Sequence, residues 1–315
     1  VALVAVLGMT IINLRGVKES GRIFAVPTYF FVGMTLFTLA TGAFKFFTGQ
    51  LTPVENVHMV AHTAEPLGWF LILYAFSSGC TALTGIEAIS DGVQNFKEPC
   101  GRNAAKTIAV MGLLLGILFL GITLLANQVQ AVPSEEETII SQIARSAFGS
   151  GVFYGLQIAA TTIILIMAAN TAYADFPRIA AFVASDSFLP RQLAIRGSRL
   201  VYSGGIVTLA VAASVLIIVF NARTTALIPL YAIGVFMCFT LSQAGMVRRW
   251  LEVSKLKPGE SVKMGQSMAT YDVHWRRNLL INGLGAVLSF VVMVIFAVTK
   301  FTHGAWITLF VIPAM

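Results

Sequence analysis

The sequence predicts an all-α, polytopic membrane helix bundle, and three observations predict it. First, seven stretches free of Asp, Glu, Lys and Arg each exceed 20 residues: 23–44, 66–86, 107–134, 146–174, 200–222, 224–247 and 278–299. About 20 apolar residues, rising about 1.5 Å each, cross the roughly 30 Å hydrocarbon layer as a helix. Second, none of these stretches alternates with period two, which fits helices and excludes an outer-membrane barrel. Third, the basic residues alternate from one connection to the next. Lys45, Arg145, Arg223 and Lys300 fall on one side, and the other 17 of the 21 Lys and Arg fall on the opposite side. The richer side is cytoplasmic by the positive-inside rule.

The elements follow in order. Run 1–14 is a partial span; it lacks a basic start and a small-residue cleavage site, so it is no signal peptide. Span 23–47 begins after Arg22, and span 66–91 runs past its uncharged part to Glu87 and Asp91. Span 106–127 begins at Lys106 and leads to the acidic run Glu135–Glu137, which is expected to be a solvated outer loop. Span 150–184 contains Asp175 and Arg178, with Pro177 as a residue that can end or bend it. Arg223 separates spans 201–221 and 224–247, and Arg277 and Lys300 bracket span 278–299. A partial span, 303–315, closes the chain. The start at Val1 and the apolar finish at Met315 make a fragment of a longer protein the expectation, with seven full spans flanked by two partial ones.

Composition narrows the function. Hydrophobic types make up 57% and charged types 11%, where a soluble domain has about 25% charged residues. Disordered chains, coiled coils and most soluble enzymes are excluded. The net charge of +7 does not point to nucleic acid, because the basic residues sit in short gaps between apolar runs. Cys80, Cys100 and Cys238 form neither a disulfide framework nor a CxxC pair, and Cys80 and Cys238 are expected to be small buried hydrophobes. His58 and His62 have i,i+4 spacing but no evident third ligand, and His274 and His303 do not complete a metal set. There is no GxxxxGK[ST], GxSxG or HExxH, so neither an ATP motor nor a hydrolase is encoded, and no cofactor is expected.

Two clusters can carry chemistry. Glu87 follows directly on the uncharged run 66–86, and a carboxylate at membrane depth marks a site or a pathway by default. Gly79, Gly85 and Gly92 punctuate the segment, and Ser77, Ser78, Thr81 and Thr84 add hydroxyls. Gly costs about 1 kcal/mol in a helix relative to Ala, so a glycine beside the acid is a place for the span to unwind. Unwound backbone frees carbonyls that coordinate a cation. Carbonyl, hydroxyl and carboxylate oxygens suit a hard ion of low charge. The plainer alternatives are that Glu87 snorkels to the cytosolic surface or pairs with Lys97 or Arg102, and that Thr84 back-bonds within its own helix. In the second cluster, Asn170 to Arg178, the i,i+3 pair of Asp175 and Arg178 suggests a local ion pair. Asn170, Asp175 and Arg178 are assigned a gating or structural role.

The stretch Asn13-Leu14-Arg15-Gly16-Val17-Lys18-Glu19-Ser20-Gly21 resembles the turn between helices four and five of the amino acid–polyamine–organocation (APC) superfamily. Thr84-Gly85-Ile86-Glu87-Ala88-Ile89, with Phe96-Lys97-Glu98-Pro99 and Arg102-Asn103-Ala104, resembles its sixth helix and inner loop. Asn170 to Arg178 with Phe188 to Gln192, and Thr299 to Trp306, resemble the KimA-type proton-coupled potassium importers within it. The resemblance covers nearly the whole chain. It implies a LeuT-type inverted repeat of five plus five helices with two more at the end, here lacking the first three helices. It further implies a site between broken helices one and six, with Thr84 and Glu87 at positions that contribute to potassium binding. A cytosolic C-terminal domain of the family, able to bind a cyclic dinucleotide, lies outside this sequence.

The reading that follows is a secondary transporter of the cell membrane, not an enzyme, importing potassium together with protons. Glu87 would alternate between cation and proton, because desolvation disfavours a charged carboxyl and a nearby cation favours it. Thr84 would supply an uncharged oxygen. The expected partners are membrane lipid, the potassium ion and, as an open option, a second copy in a homodimer; nucleic acid is not among them. One alternative is an amino acid permease, with Gly85 and the unwound turn receiving a substrate carboxylate or amine. Another is a non-transporting scaffold or sensor whose basic loop 248–277 meets anionic lipid.

Overall fold

The computed structural model describes residues 2–16, 21–54, 68–134, 137–197, 201–264 and 267–301. The expected segment 303–315, and His58, His62 and His303, lie outside these residues. Among them the chain is mostly helical. The helices are α1 (Ala2–Leu14), α2 (Gly21–Phe47), α3 (Trp69–Cys80), α4 (Glu87–Asp91) and α5 (Cys100–Gln128). They continue as α6 (Ile139–Phe148), α7 (Val152–Ser185), α8 (Ser203–Val219), α9 (Thr224–Val253) and α10 (Trp275–Thr299). Six helical segments are long and apolar enough to cross a membrane: Ala25–Phe47, Trp69–Ser90, Cys100–Gln128, Val152–Ser185, Leu230–Val253 and Trp275–Thr299. Helix α8 has 17 residues, about 26 Å at the usual rise.

The chain divides into two compact units. The first comprises Val1–Thr63 and Ile86–Ala222, and the second Ala64–Gly85 and Arg223–Met315.

In the first unit, α2 and α5 meet through glycine. A Cβ on Gly42 would lie 2.7 Å from Leu125, and one on Gly121 would lie 2.7 Å from Leu39. Leu39 and Leu125 fill these notches and join Val129 and Ile143 in a buried cluster. Membrane helices lack a hydrophobic drive to associate, so close backbone approach and polar bonds do the work. Polar bonds join α2 to α7. Thr38 Oγ1 donates to Gln157 Oε1 at 3.0 Å, and Gln157 Nε2 donates to Thr35 Oγ1 and Thr161 Oγ1, each at 3.3 Å. Gln157 and Thr35 are fully buried. Gln157→Leu is expected to lower stability by about 1 kcal/mol, read as a lower Tm in detergent, because it severs three interhelical or local bonds.

Two features of this unit depart from the sequence expectation. Pro177 does not end its span: α7 continues to Ser185, and Pro177 is buried against α8, where a Cβ on Gly205 would lie 2.7 Å from Pro177 Cα. Proline is tolerated inside a membrane helix where neighbouring elements close around it. The acidic run is likewise more than a solvated loop. Glu135 and Glu136 lie outside the described residues, but Glu137 pairs with Arg145 at 2.8 Å and accepts from Ser141 Oγ at 2.8 Å. These contacts hold the short helix α6, capped by Thr138 accepting from Ser141 N and closed by Gly149 at φ 68°.

In the second unit, Ala232, Ile233 and Phe236 of α9 pack on Val292 and Phe296 of α10 and on Cys80 of α3. Phe236 and Phe296 stack with centroids 5.7 Å apart. Trp250 Nε1 donates to Asn282 Oδ1 at 2.8 Å. After α9 comes a hairpin, β1 (Ser261–Met264) and β2 (Ser267–Thr270), with Val262 opposite Ala269. Cys238 is exposed on α9, not buried as expected. Lipid and protein core are equally apolar, so hydropathy could not separate the two faces.

Candidate functional site: a broken membrane helix

The span at 69–91 is interrupted where Gly and hydroxyl residues concentrate. Ser77 and Ser78 both donate back to Tyr74 O at 2.9 Å, and α3 ends at Cys80. A single 3-10 turn follows over Thr81–Leu83. Thr84 is extended, with φ −73° and ψ 155°. Gly85 sits at φ +97°, a conformation that side-chain-bearing residues adopt only with strain. Helix α4 then begins at Glu87. The i→i+4 ladder is therefore lost between Cys80 and Glu87, and α3 directs the negative end of its dipole at the gap, which favours a cation.

Thr84 Oγ1 donates to Thr81 O at 2.7 Å, the local back-bond that was the plainer alternative for this residue. That bond uses the hydroxyl proton and leaves the oxygen lone pairs available. Thr84 and Glu87 are half-buried, and Gly85 is exposed.

The outer half of the broken span is clasped from α10. Thr299 and Ser77 hydroxyls are 3.3 Å apart. Lys300 is buried, donates from Nζ to Ser78 Oγ at 2.9 Å, and lies 3.1 Å above the Tyr74 ring. No sequence pattern marks this contact, because its partners are more than 200 positions apart and Lys300 reads as a boundary charge.

The second cluster lies on α7, away from the broken segment in sequence. Asp175 and Arg178 form the expected ion pair, at 3.5 Å with both side chains 32% exposed. Asn170 Oδ1 accepts from Asn13 Nδ2 of α1 at 2.7 Å, and Tyr173 OH meets Thr10 Oγ1 at 3.0 Å. Arg178, Tyr173, Asn13 and Tyr202 line a cavity of about 360 Å³ between α1, α7 and α8. These contacts are those of a structural joint between α1 and α7. Among the described residues no group of three His, Cys, Asp or Glu is placed to hold a metal ion.

Comparison with known proteins places this architecture. The model of the family described as amino acid permease matches residues 1–315. The potassium transporter KimA of Bacillus subtilis (strain 168) is 45% identical over 313 residues, which is 99% of this chain and 49% of that protein. The chain thus spans about half the length of the curated relative it matches. With six membrane-length helical segments among its described residues, it is a multi-pass protein of the plasma membrane. The chain belongs to the amino acid permease family, within the APC superfamily.

Proposed function

We propose that the protein carrying this chain is a secondary transporter that imports potassium coupled to protons, and that the cation is handled at Thr84–Glu87. The observation that carries the reading is the interruption itself: an apolar span that loses its helical ladder at Gly85 and resumes at an acid. The similarity to a protein named potassium transporter supports potassium as the cargo. Glu87 offers a carboxylate that takes either a cation or a proton, which couples the two in one group. Thr84 offers a neutral oxygen whose proton is already committed to Thr81 O. Asp175, Arg178 and Asn170 serve as a joint or gate on α7, not as ligands.

Amino acid uptake is the second reading, favoured by the description of the matching family. In it, the backbone around Gly85 receives a substrate carboxylate or amine. Rubidium uptake by the full-length protein in potassium-starved cells separates the two. Uptake that potassium competes and amino acids do not, and that collapses with the proton gradient, is expected. Competition by amino acids without any potassium effect would select the permease.

A further inference from the structure

Several threonines on the helices of this chain share one habit. Thr10, Thr123, Thr240 and Thr299 each donate to the carbonyl four residues back, at 2.7 Å. This back-bond is the low-energy solution for a hydroxyl in an apolar setting. Thr81 departs from it. Its Oγ1 is closed off from solvent and has no hydrogen-bond partner among the described residues. The local geometry supplies the cause: the chain tightens into a 3-10 turn at Thr81, so the carbonyl four back no longer lies beneath the hydroxyl. The Thr81 carbonyl is fully engaged instead, accepting Thr84 N at 3.2 Å and Thr84 Oγ1 at 2.7 Å.

A buried hydroxyl without a partner is unfavourable and uncommon in folded proteins. An alkali cation is the partner that a neutral oxygen next to a helix break would take, since such ions are held by carbonyl and hydroxyl oxygens replacing water. We propose that Thr81 Oγ1 is a further ligand of the transported cation, three residues from Thr84 and on the same unwound turn. The inference rests on the cation-transport reading above. The oxygen is closed off in this conformation, so the cation reaches it only as the turn opens, and the hydroxyl acquires its partner during the transport cycle.

The test is Thr81→Val, close to isosteric but without the oxygen, beside Thr81→Ser, which keeps it. Both are made in the full-length protein. Rubidium uptake kinetics and Tm in detergent, with and without rubidium, are measured for each. A ligand role predicts a KM for rubidium raised about tenfold in Thr81→Val, about the loss of one neutral oxygen contact. It also predicts a Tm in rubidium-free buffer that is unchanged or higher, because an unpaired buried group has gone. The rubidium-induced rise in Tm shrinks in Thr81→Val, and Thr81→Ser keeps KM within about twofold of the parent. A Thr81→Val protein with parental KM and a parental rubidium response overturns the inference, as does one whose Tm falls while KM stays put. If Glu87→Gln abolishes uptake while Thr81→Val is neutral, this inference fails alone. If the parent protein takes up no rubidium, the transport reading fails with it.

Discussion

Glu87→Gln in the full-length protein is expected to reduce rubidium uptake, as kcat/KM, by about 10- to 100-fold, the loss of one charge-assisted contact of roughly 1.5–3 kcal/mol. The substitution keeps the size and polarity of a half-buried side chain at the first position of α4, so the fold is retained and the Tm stays near the parent value. A second consequence separates coupling from simple binding. Residual uptake should lose its dependence on external pH, because an amide carries no proton between the two sides. Glu87→Asp should fall between the two. Parental uptake with parental pH dependence in Glu87→Gln would refute the assignment of this residue.

Gly205→Val carries the largest expected effect on folding. The added Cβ would lie 2.7 Å from Pro177 Cα and 2.8 Å from its Cβ. Both are atoms of a rigid ring and backbone, so no flexible side chain can yield, and α8 must shift away from α7. Overpacking of this kind costs about 1–3 kcal/mol or more. The check is size-exclusion behaviour and Tm of the purified protein, with low yield of monodisperse material and a clearly lower Tm expected. Gly112→Val on α5, where an added Cβ meets nothing within 4 Å, is the matched control and should change stability by only about 0.5 kcal/mol. Equal damage from the two would mean that the α7–α8 contact is not the tight one.

The broken segment was legible in the sequence because its ingredients are local. A glycine that must take positive φ, hydroxyls that compete for carbonyls and an acid beside an uncharged run all lie within 77–87. The membrane helices were legible for the same reason, since length and charge suffice. What escaped depends on partners remote in the chain. Lys300 reads as the charge that ends a span, yet it is buried over Tyr74. Gln157 reads as one polar residue in an apolar run, yet it holds Thr35 and Thr38. The exposure of Cys238 was beyond reach because lipid and core reward the same residues. Helix α6 did leave a trace: Thr138 as cap, Ile139, Ile143 and Ala147 at four-residue spacing, and Gly149 as stop. The same limit governs Thr81, which sequence placed among four hydroxyls with nothing to set it apart. Only the geometry of the turn leaves its oxygen without a partner.

Equilibrium binding of radioactive rubidium to the purified full-length protein tests most directly whether the interrupted helix holds a cation. The account predicts saturable binding that potassium displaces, that amino acids leave untouched, and that Glu87→Gln weakens about 10- to 100-fold. Saturable, potassium-displaced binding of parental strength in Glu87→Gln would contradict it.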